Sequence, residues 1–184
     1  MHLSEELVIE QTQSWVRSFI VGMNVCPFAK REVDRGTVRY VVIRSRQPNV
    51  ALAELMAEID WLDQHPEAET TLMIFPSLFT DFLSYLDFVD DSEQLMFEQE
   101  CEGVYQLATF HPKYCFSGAE DDDVSNYTNR SPYPMLHILR EASLEKAIEF
   151  YGDTAEIPER NIKLMEETGR EALAKLMQQC MVQS

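Results

Sequence analysis

The residues whose types could do chemistry are concentrated in one segment, Phe110 to Pro134, which reads FHPKYCFSGAEDDDVSNYTNRSPYP. Its imidazole, thiol, carboxylate, amide and guanidinium groups are those used in acid/base, nucleophilic and anion-binding sites. The segment is too rich in Pro, Gly, Asn and Asp to continue as strand or helix, and long connections are usually functional or disordered. Aromatic residues, among them Tyr127 and Tyr133, can anchor it by packing. The sequence therefore predicts an ordered functional loop over residues 111–134.

The binding prediction depends on Asn129 to Pro134 (NRSPYP). Two prolines fix the backbone and bias the preceding residues toward extended conformations, so little entropy is lost when a ligand binds. Arg130 offers a planar fork of donors for a carboxylate or phosphate. We therefore predict that a small anionic ligand is bound by Asn126, Asn129, Arg130, Ser131 and Tyr133. The alternative is that Arg130 pairs with Asp121 to Asp123 and closes the loop.

The catalytic prediction names two residues. His111 is the candidate acid/base group, because an unperturbed imidazole titrates near neutrality. Cys26 is the candidate nucleophile, since Lys30 and Arg31 follow it and nearby cations lower the pKa of a thiol. A buried, inert thiol is the alternative for Cys26. The assignment requires His111 and Arg130 to lie within about 12 Å, the span of a substrate-sized pocket.

Metal binding is a further alternative. Soft ligands for zinc or iron are available at His111, Cys115, Cys26 and His137, and oxygen ligands for Mg²⁺ or Ca²⁺ at Asp121 to Asp123 with Asn126. However, the chain has no CxxC pair, no HExxH helix and no D-x-D-x-D-G order. We therefore assign no metal ligand, and the sequence specifies no cofactor. His137, among apolar residues of a predicted strand, is interpreted as a hydrogen-bonded core histidine.

The charge distribution restricts the partners. A net charge of −17 opposes binding to nucleic acid or to an anionic membrane. Between Gln47 and Pro112 there are 14 Asp and Glu and no Lys or Arg, whereas six of the 15 basic residues lie between Lys30 and Arg46. These cations either balance the acidic helices that follow or form a positive wall for an anion. The non-enzymatic hypothesis is an acidic interaction module with a structural loop, which predicts no pocket near Asn129 and a ring of exposed apolar residues elsewhere.

Length and composition favour one cytoplasmic domain. At 184 residues the chain suits a single domain over residues 1–184, and it has no apolar run that could span a bilayer. The N-terminus, MHLSEELVIEQ, is acidic and amphipathic, unlike a signal peptide. The four cysteines show no paired spacing, which favours free thiols in a reducing compartment. The oligomeric state stays open.

Four strands and five helices are predicted from hydrophobic periodicity. The strands are Thr37 to Arg44, Thr70 to Phe75, Val104 to Phe110 and Met135 to Arg140. The first helix runs from a cap at Ser4 to Gly22, and the second runs from Pro48 to before His65. The third begins at Phe79, is interrupted at Asp90 to Ser92 and ends at a cap at Gly103. The fourth runs from Leu144, after a cap at Ser143, to Tyr151, and the fifth runs from Pro158 to Cys180. In the last helix we expect Ile162, Met165, Leu173, Leu176 and Cys180 to face inward.

This alternation predicts an α/β (or α+β) fold with one mixed sheet of about four strands, built from βαβαβ units plus one further strand. Helices pack on the sheet, and a long helix ends the chain. The first three strands should be largely parallel, and the fourth, which follows a loop, is open to an antiparallel direction. Ligands of such sheets bind beyond the carboxyl ends of the strands, where residues 111–134 begin.

Three motifs carry a resemblance to a known family. CPFAKR (Cys26 to Arg31), FHP (Phe110 to Pro112) and NRSPYPMLHILR (Asn129 to Arg140) resemble, in the same order, a bacterial family of uncharacterised proteins that is carried as a domain of unknown function. The resemblance implies a single small α/β or α+β domain in a cytosolic protein. It implies no reaction.

Overall fold

The computed structural model describes residues 3–182, in which helices and strands alternate along the chain. The strands are β1 (Val38–Val42), β2 (Thr70–Ile74), β3 (Tyr105–Phe110) and β4 (Met135–Arg140). The α-helices are α1 (Glu5–Trp15), α2 (Ala29–Arg35), α3 (Pro48–Gln64), α4 (Phe82–Glu98), α5 (Glu141–Tyr151), α6 (Ile157–Thr168) and α7 (Arg170–Cys180). A π-helix (Val16–Val21) continues α1, and a 3-10 helix (Val124–Asn129) lies in the predicted loop.

The strands form one mixed sheet in the order β1-β2-β4-β3. β1 and β2 are parallel, while β4 is antiparallel to both of its neighbours. The first three strands therefore point the same way and end at one edge, which confirms the predicted α/β class. β4 lies between β2 and β3 because the 111–134 loop returns the chain from the end of β3 to an adjacent position.

Helices cover both faces of the sheet. Side chains alternate between the faces along β2, so that Met73 packs with α3 and α4, while Leu72 and Ile74 pack with α1, the π-helix, α6 and α7. A central strand enclosed in this way is apolar on both faces, and all of β2 is buried. The side of the protein that α3 and α4 form is called the α3–α4 face below.

The predicted interruption of the helix after Phe79 is wrong. α4 continues from Phe82 to Glu98, and the buried hydroxyl of Ser92 donates to the carbonyl of Phe88 inside this helix at 2.7 Å, so it does not cap a new one. Phe79 precedes the helix, which Asp81 caps by accepting the N–H of Ser84 at 2.9 Å. Gly103 lies in the turn before β3 and caps no helix.

Two further element predictions need correction. The predicted final helix is two helices, because Gly169 at φ 77° and ψ 153° leaves the helical region between α6 and α7. Met165, Leu173 and Cys180 are buried as predicted, but Ile162 is 44% exposed. α5 begins at Glu141 directly after β4, so Ser143 is not its cap.

The N-terminal region also differs from the predicted single helix. The π-helix follows Trp15, and α2, which the sequence interpretation did not include, follows the turn at Cys26. Gly22 follows the π-helix, and a Cβ there would lie 2.3 Å from the carbonyl oxygen of Ser18, so a larger residue would require the backbone to shift. Across residues 3–182, none of the helices has the length and apolar character required to cross a bilayer.

Candidate functional site

The 111–134 loop is an ordered structure held by its own side chains. It contains the 3-10 helix, which packs on α6. Asn126 is fully buried; its Oδ1 accepts the N–H of Phe116 at 2.9 Å, and its Nδ2 donates to the carbonyl of Glu120 at 2.8 Å. Both polar ends of this predicted ligand-binding residue are therefore used to fold residues 116–120 back onto the 3-10 helix.

Arg130 also bonds to the loop. Its Nε donates to the carbonyl of Tyr114 at 3.2 Å, its Nη2 donates to the carbonyl of Asp121 at 2.7 Å, and the guanidinium lies 4.9 Å from the ring centre of Tyr127. The partner is the backbone of Asp121, not the carboxylate that the alternative interpretation proposed. These two bonds use one edge of the fork, so the Nη1–Nη2 edge of this half-buried residue is what could meet an anion.

The remaining predicted binding residues attach the loop to its surroundings. Asn129 Nδ2 donates to the carbonyl of Thr109 at 3.0 Å, which covers the outer edge of β3. The buried hydroxyl of Ser131 donates to the carbonyl of Tyr133 at 2.6 Å. The hydroxyl of Tyr133, also buried, donates to the side-chain oxygen of Gln11 on α1. Each of these groups has a structural partner, and their ligand-binding role stays a prediction.

His111 is buried, with 1% of its surface exposed. Its Nε2–H donates to the carbonyl of Phe79 at 2.8 Å, and its Nδ1 accepts the N–H of Lys113 at 2.9 Å, an arrangement that needs a neutral ring. Burial lowers the pKa of His111, partly offset by the Phe79 carbonyl. Acid/base work would require the ring to exchange one of these bonds, so the catalytic assignment stays a prediction.

The structure brings His111 close to Arg130 but not to Cys26. The His111 N–H donates to the carbonyl of Asn129 at 3.2 Å, which places its backbone beside the residue before Arg130. Its ring packs on Phe82 at the α3–α4 face, whereas Cys26 packs on the opposite side of the sheet. The sheet therefore lies between the predicted base and the predicted nucleophile.

Cys26 lies in a turn that α6 holds. The side chain of Asn161 donates to the carbonyl of Val25 at 2.8 Å, and Arg160 donates to that of Asn24 at 2.6 Å. Burial raises the pKa of the Cys26 thiol, and this effect exceeds the lowering by the N–H groups of Phe28 and Ala29. A raised pKa favours the thiol over the reactive thiolate.

The other metal candidates are separate from one another. His137 Nε2 donates to the hydroxyl of Thr70 at 2.6 Å, which in turn donates to the carbonyl of Ile138, so it is hydrogen-bonded as expected. Desolvation lowers the pKa of His137 to about 4. Within residues 3–182, no three His, Cys, Asp or Glu side chains form a group that could hold a metal ion. The four cysteines, all in this range, are free thiols.

Sequence reasoning missed a groove at the same edge of the sheet. Its volume is about 380 Å³, and it lies between the N-terminal ends of α3 and α4. The lining residues are Pro48, Leu78, Phe79, Thr80, Asp81, Ser84, Asp87, Phe88 and Asp91. Phe79 has a left-handed backbone (φ 58°), a conformation that is uncommon for a bulky residue and clusters at ligand clamps. The sequence signal was Pro76, which ends a buried strand at the edge of the sheet where ligands bind.

The basic stretch before α3 does not neutralise the acidic helices. Lys30 pairs with Asp34, Arg31 and Arg35 pair with Glu32, and Arg44 pairs with Glu5. Of the 14 acidic residues between Gln47 and Pro112, Glu58 alone forms an ion pair with Lys or Arg within the described range, and its partner is Arg39 at 2.9 Å. The interpretation that these cations balance the acidic helices is therefore largely wrong.

Comparison with known proteins identifies a family. Residues 7–175 match the family described as "Protein of unknown function (DUF1415)". No curated protein and no solved structure matches the chain.

Proposed function

The chain belongs to the family described as "Protein of unknown function (DUF1415)", and from its geometry we propose that it is a binding domain. Its acidic α3–α4 face docks a positively charged protein partner, and the 111–134 loop serves to build that face. The observation that carries the proposal is the unpaired charge of the face, where Glu58 alone has a cationic side-chain partner among the described residues.

The outer surface of α4 has the composition of a docking surface. Leu83, Leu86 and Phe97 are 70%, 37% and 59% exposed, and their spacing puts them on one stripe of the helix. Asp90 lies within that stripe, and Glu93 lies beside it. Large exposed apolar side chains surrounded by acids favour a partner with apolar anchors and positive charge, because charge complementarity accelerates encounter and fixes orientation.

The groups predicted to be catalytic or ligand-binding support this proposal because they form structural hydrogen bonds or lie on the other side of the sheet. Both ring nitrogens of His111 and both amide ends of Asn126 bond to backbone groups, and Cys26 lies in the other layer. Satisfied buried polar networks give a loop one rigid conformation. A rigid loop beside α4 positions the turn that precedes that helix.

The test uses a short amphipathic peptide of leucine and lysine as the probe, with binding followed by fluorescence anisotropy. Asp90→Asn with Glu93→Gln should weaken binding by about fivefold or more, since each exposed ion pair contributes up to about 1 kcal/mol. The matched control, Glu166→Gln with Glu171→Gln on α6 and α7, makes the same charge change in the other layer. Equal losses in both double variants would show attraction by net charge alone and reject the proposal.

The apolar stripe is tested separately. Leu83→Ser with Phe97→Ser should weaken peptide binding by about tenfold, because each exposed side chain loses part of its apolar burial against the partner. Phe150→Ser on α5 is the control, since Phe150 is 96% exposed. An unchanged affinity in the α4 variant would contradict docking on this face.

A small anionic ligand at Arg130 is the second candidate function. The observation in its favour is the anchored fork, since the bonds to Tyr114 and Asp121 fix the plane of the guanidinium and leave the Nη1–Nη2 edge for a carboxylate or phosphate. Arg170 lies nearby, where it pairs with Asp122 at 3.1 Å. Four acidic residues, Glu120 to Asp123, oppose an anion there.

Phosphate and acetate titrations followed by amide NMR test this second candidate. Saturable shifts at the amides of residues 121–130, abolished by Arg130→Lys, would support an anion site, because lysine cannot reproduce the planar fork. Arg170→Lys is the matched control. Shifts that are weak, linear and spread over the chain would remove this candidate and leave the docking proposal intact.

A further inference from the structure

We propose that the groove between the N-terminal ends of α3 and α4 receives one lysine or arginine side chain of the docked partner. This inference rests on the proposed function, because it names the anchoring point of the same positively charged partner. It concerns a small concave site, whereas the docking proposal concerns the whole exposed surface of α4.

The floor of the groove is apolar. Leu78, Phe79 and Phe88 line it together with Pro48 at the start of α3. The rings of Phe79 and Phe88 stack with centres 4.2 Å apart and an interplanar angle of 24°, so their faces lie against each other and both buried rings form a rigid apolar base. The aliphatic stem of lysine or arginine packs favourably on apolar side chains while its charged end stays at the rim.

The rim of the groove is acidic. Asp81, Asp87 and Asp91 line it, and all three are exposed. Asp81 is committed to capping α4, where the N–H and hydroxyl of Ser84 lower its pKa; Lys113 and His111 are the basic groups near it. Asp87 and Asp91 lie one helical turn apart on the same flank of α4, so both carboxylates can face one bound cation.

The shape of the groove depends on the loop. Phe79 has a left-handed backbone (φ 58°), and His111 Nε2–H donates to its carbonyl at 2.8 Å. This hydrogen bond holds Phe79 in that conformation. The ring of Phe79 also contacts Phe75 edge-on at 5.4 Å, which fixes it from the sheet side. His111 is thus a positioning residue for the groove floor, and a site formed in advance costs little ordering entropy when it binds.

An apolar floor with an acidic rim distinguishes a basic side chain from other occupants. A neutral apolar side chain would leave the carboxylates without a partner, and an anion would be repelled by them. A small inorganic cation would make no use of the aromatic floor. Charge complementarity together with the apolar floor therefore selects a long aliphatic stem that carries a positive end.

The experiment titrates the full chain with butylammonium and butylguanidinium, and with neutral butanol as the isosteric control, followed by amide NMR. We expect saturable shifts confined to residues 78–91 for both cations, and affinity at least about fivefold weaker for butanol, as expected for one exposed charge interaction. Asp87→Asn with Asp91→Asn should weaken cation binding by a similar factor. Asp90→Asn with Glu93→Gln removes the same charge from the same helix outside the groove and should change affinity by less than about twofold.

Two outcomes would overturn the proposal that the groove binds a basic side chain. Equal weakening in both double variants would show attraction by the whole helix, and equal affinity for butanol would show that the rim charge has no role. Neither outcome affects the peptide result, which depends on Asp90, Glu93 and the apolar stripe. Conversely, peptide affinity that is unchanged in the α4 variants would reject the docking proposal. Amide shifts confined to residues 78–91 on addition of the cations would still show binding in the groove. All four substituted acids are exposed, and unchanged melting temperatures would verify that the variants fold.

Discussion

The Nε2–H of His111 donates to the carbonyl oxygen of Phe79 at 2.8 Å and joins the loop after β3 to the turn before α4. The ring belongs to the FHP motif, and the carbonyl belongs to a residue with a left-handed backbone. Because the bond crosses between two segments that are distant in sequence, it couples the 111–134 loop to the groove and to the first turn of α4. The residue that looked most like a catalyst therefore has a clear structural task.

Replacing His111 by Phe keeps the ring but removes both hydrogen bonds. The Phe79 carbonyl and the Lys113 N–H lose their partner, and we expect a loss of about 1–3 kcal/mol in the free energy of unfolding. Urea denaturation followed by circular dichroism measures it. The control His65→Phe should cost less than about 1 kcal/mol, because the His65 ring is less buried and bonds only to the carbonyl of Trp61 in the adjacent last turn of α3. Equal effects would contradict a coupling role for His111.

Tyr85→Phe tests how the end of the sheet is closed. The Tyr85 hydroxyl accepts the N–H of Phe110 at 3.1 Å and donates to the carbonyl of Met135 at 2.6 Å, so it joins a paired position of β3 and β4. Removing it leaves two backbone groups unpaired at a site where burial keeps the pKa of Tyr85 well above its ordinary value. We expect about 1–3 kcal/mol of destabilisation by urea denaturation.

The control for that substitution is Tyr114→Phe. The Tyr114 hydroxyl has a long contact of 3.4 Å to Thr109 and lies nearer the surface, so the loss should stay below about 1 kcal/mol. A Tyr85→Phe protein as stable as the Tyr114→Phe protein would show that the hydroxyl does not close the sheet.

Asn126→Ala should open the loop locally. The N–H of Phe116 and the carbonyl of Glu120 lose their bonds to the buried amide, so residues 115–123 should become accessible. We expect limited proteolysis in that stretch to accelerate by about tenfold or more, since one lost hydrogen bond of about 1.4 kcal/mol changes an opening equilibrium tenfold. Ser125→Ala, at a half-buried neighbour, is the control. Cleavage at the wild-type rate would mean that Asn126 does not hold the loop.

His137 should make stability depend on pH. Its pKa is lowered from 6.5 to about 4 by burial, so the unfolded chain takes up a proton at a higher pH than the folded protein does. The contribution of His137 to the free energy of unfolding is therefore fully present above about pH 6.5. It falls by about 1.4 kcal/mol per pH unit as the pH is lowered toward 4. His111 shifts in the same direction and adds to the effect.

Urea midpoints at about pH 7.5 and about pH 5 measure this dependence. His137→Gln keeps an N–H donor for Thr70 but does not titrate, so it should be less stable than the wild type near neutrality and lose less stability on acidification. The same fall in both proteins would exclude His137 as a source of the pH dependence.

Strand positions could be predicted because the strands differ locally from their surroundings. Met135 to Arg140 was predicted with its observed bounds, since a short apolar run bounded by a proline is sufficient to define it. The continuity of α4 could not be predicted, because Asp90-Asp91-Ser92 resembles a helix start until the Ser92 hydroxyl is seen to bond to Phe88 inside the helix. Gly169 was missed for the opposite reason, since one glycine inside an amphipathic pattern does not by itself end a helix.

The amino-acid sequence is sufficient to predict the α/β class, the position of the long loop and the acidity of the segment that forms α3 and α4. These follow from periodicity, composition and charge, which are local or additive properties of the chain. The tertiary structure decided which groups are used and which faces are exposed. His111 lies beside Phe79, away from Cys26, and the acids of α4 lie on one uncompensated surface. Such pairings join residues far apart in the chain, and only folding brings them together.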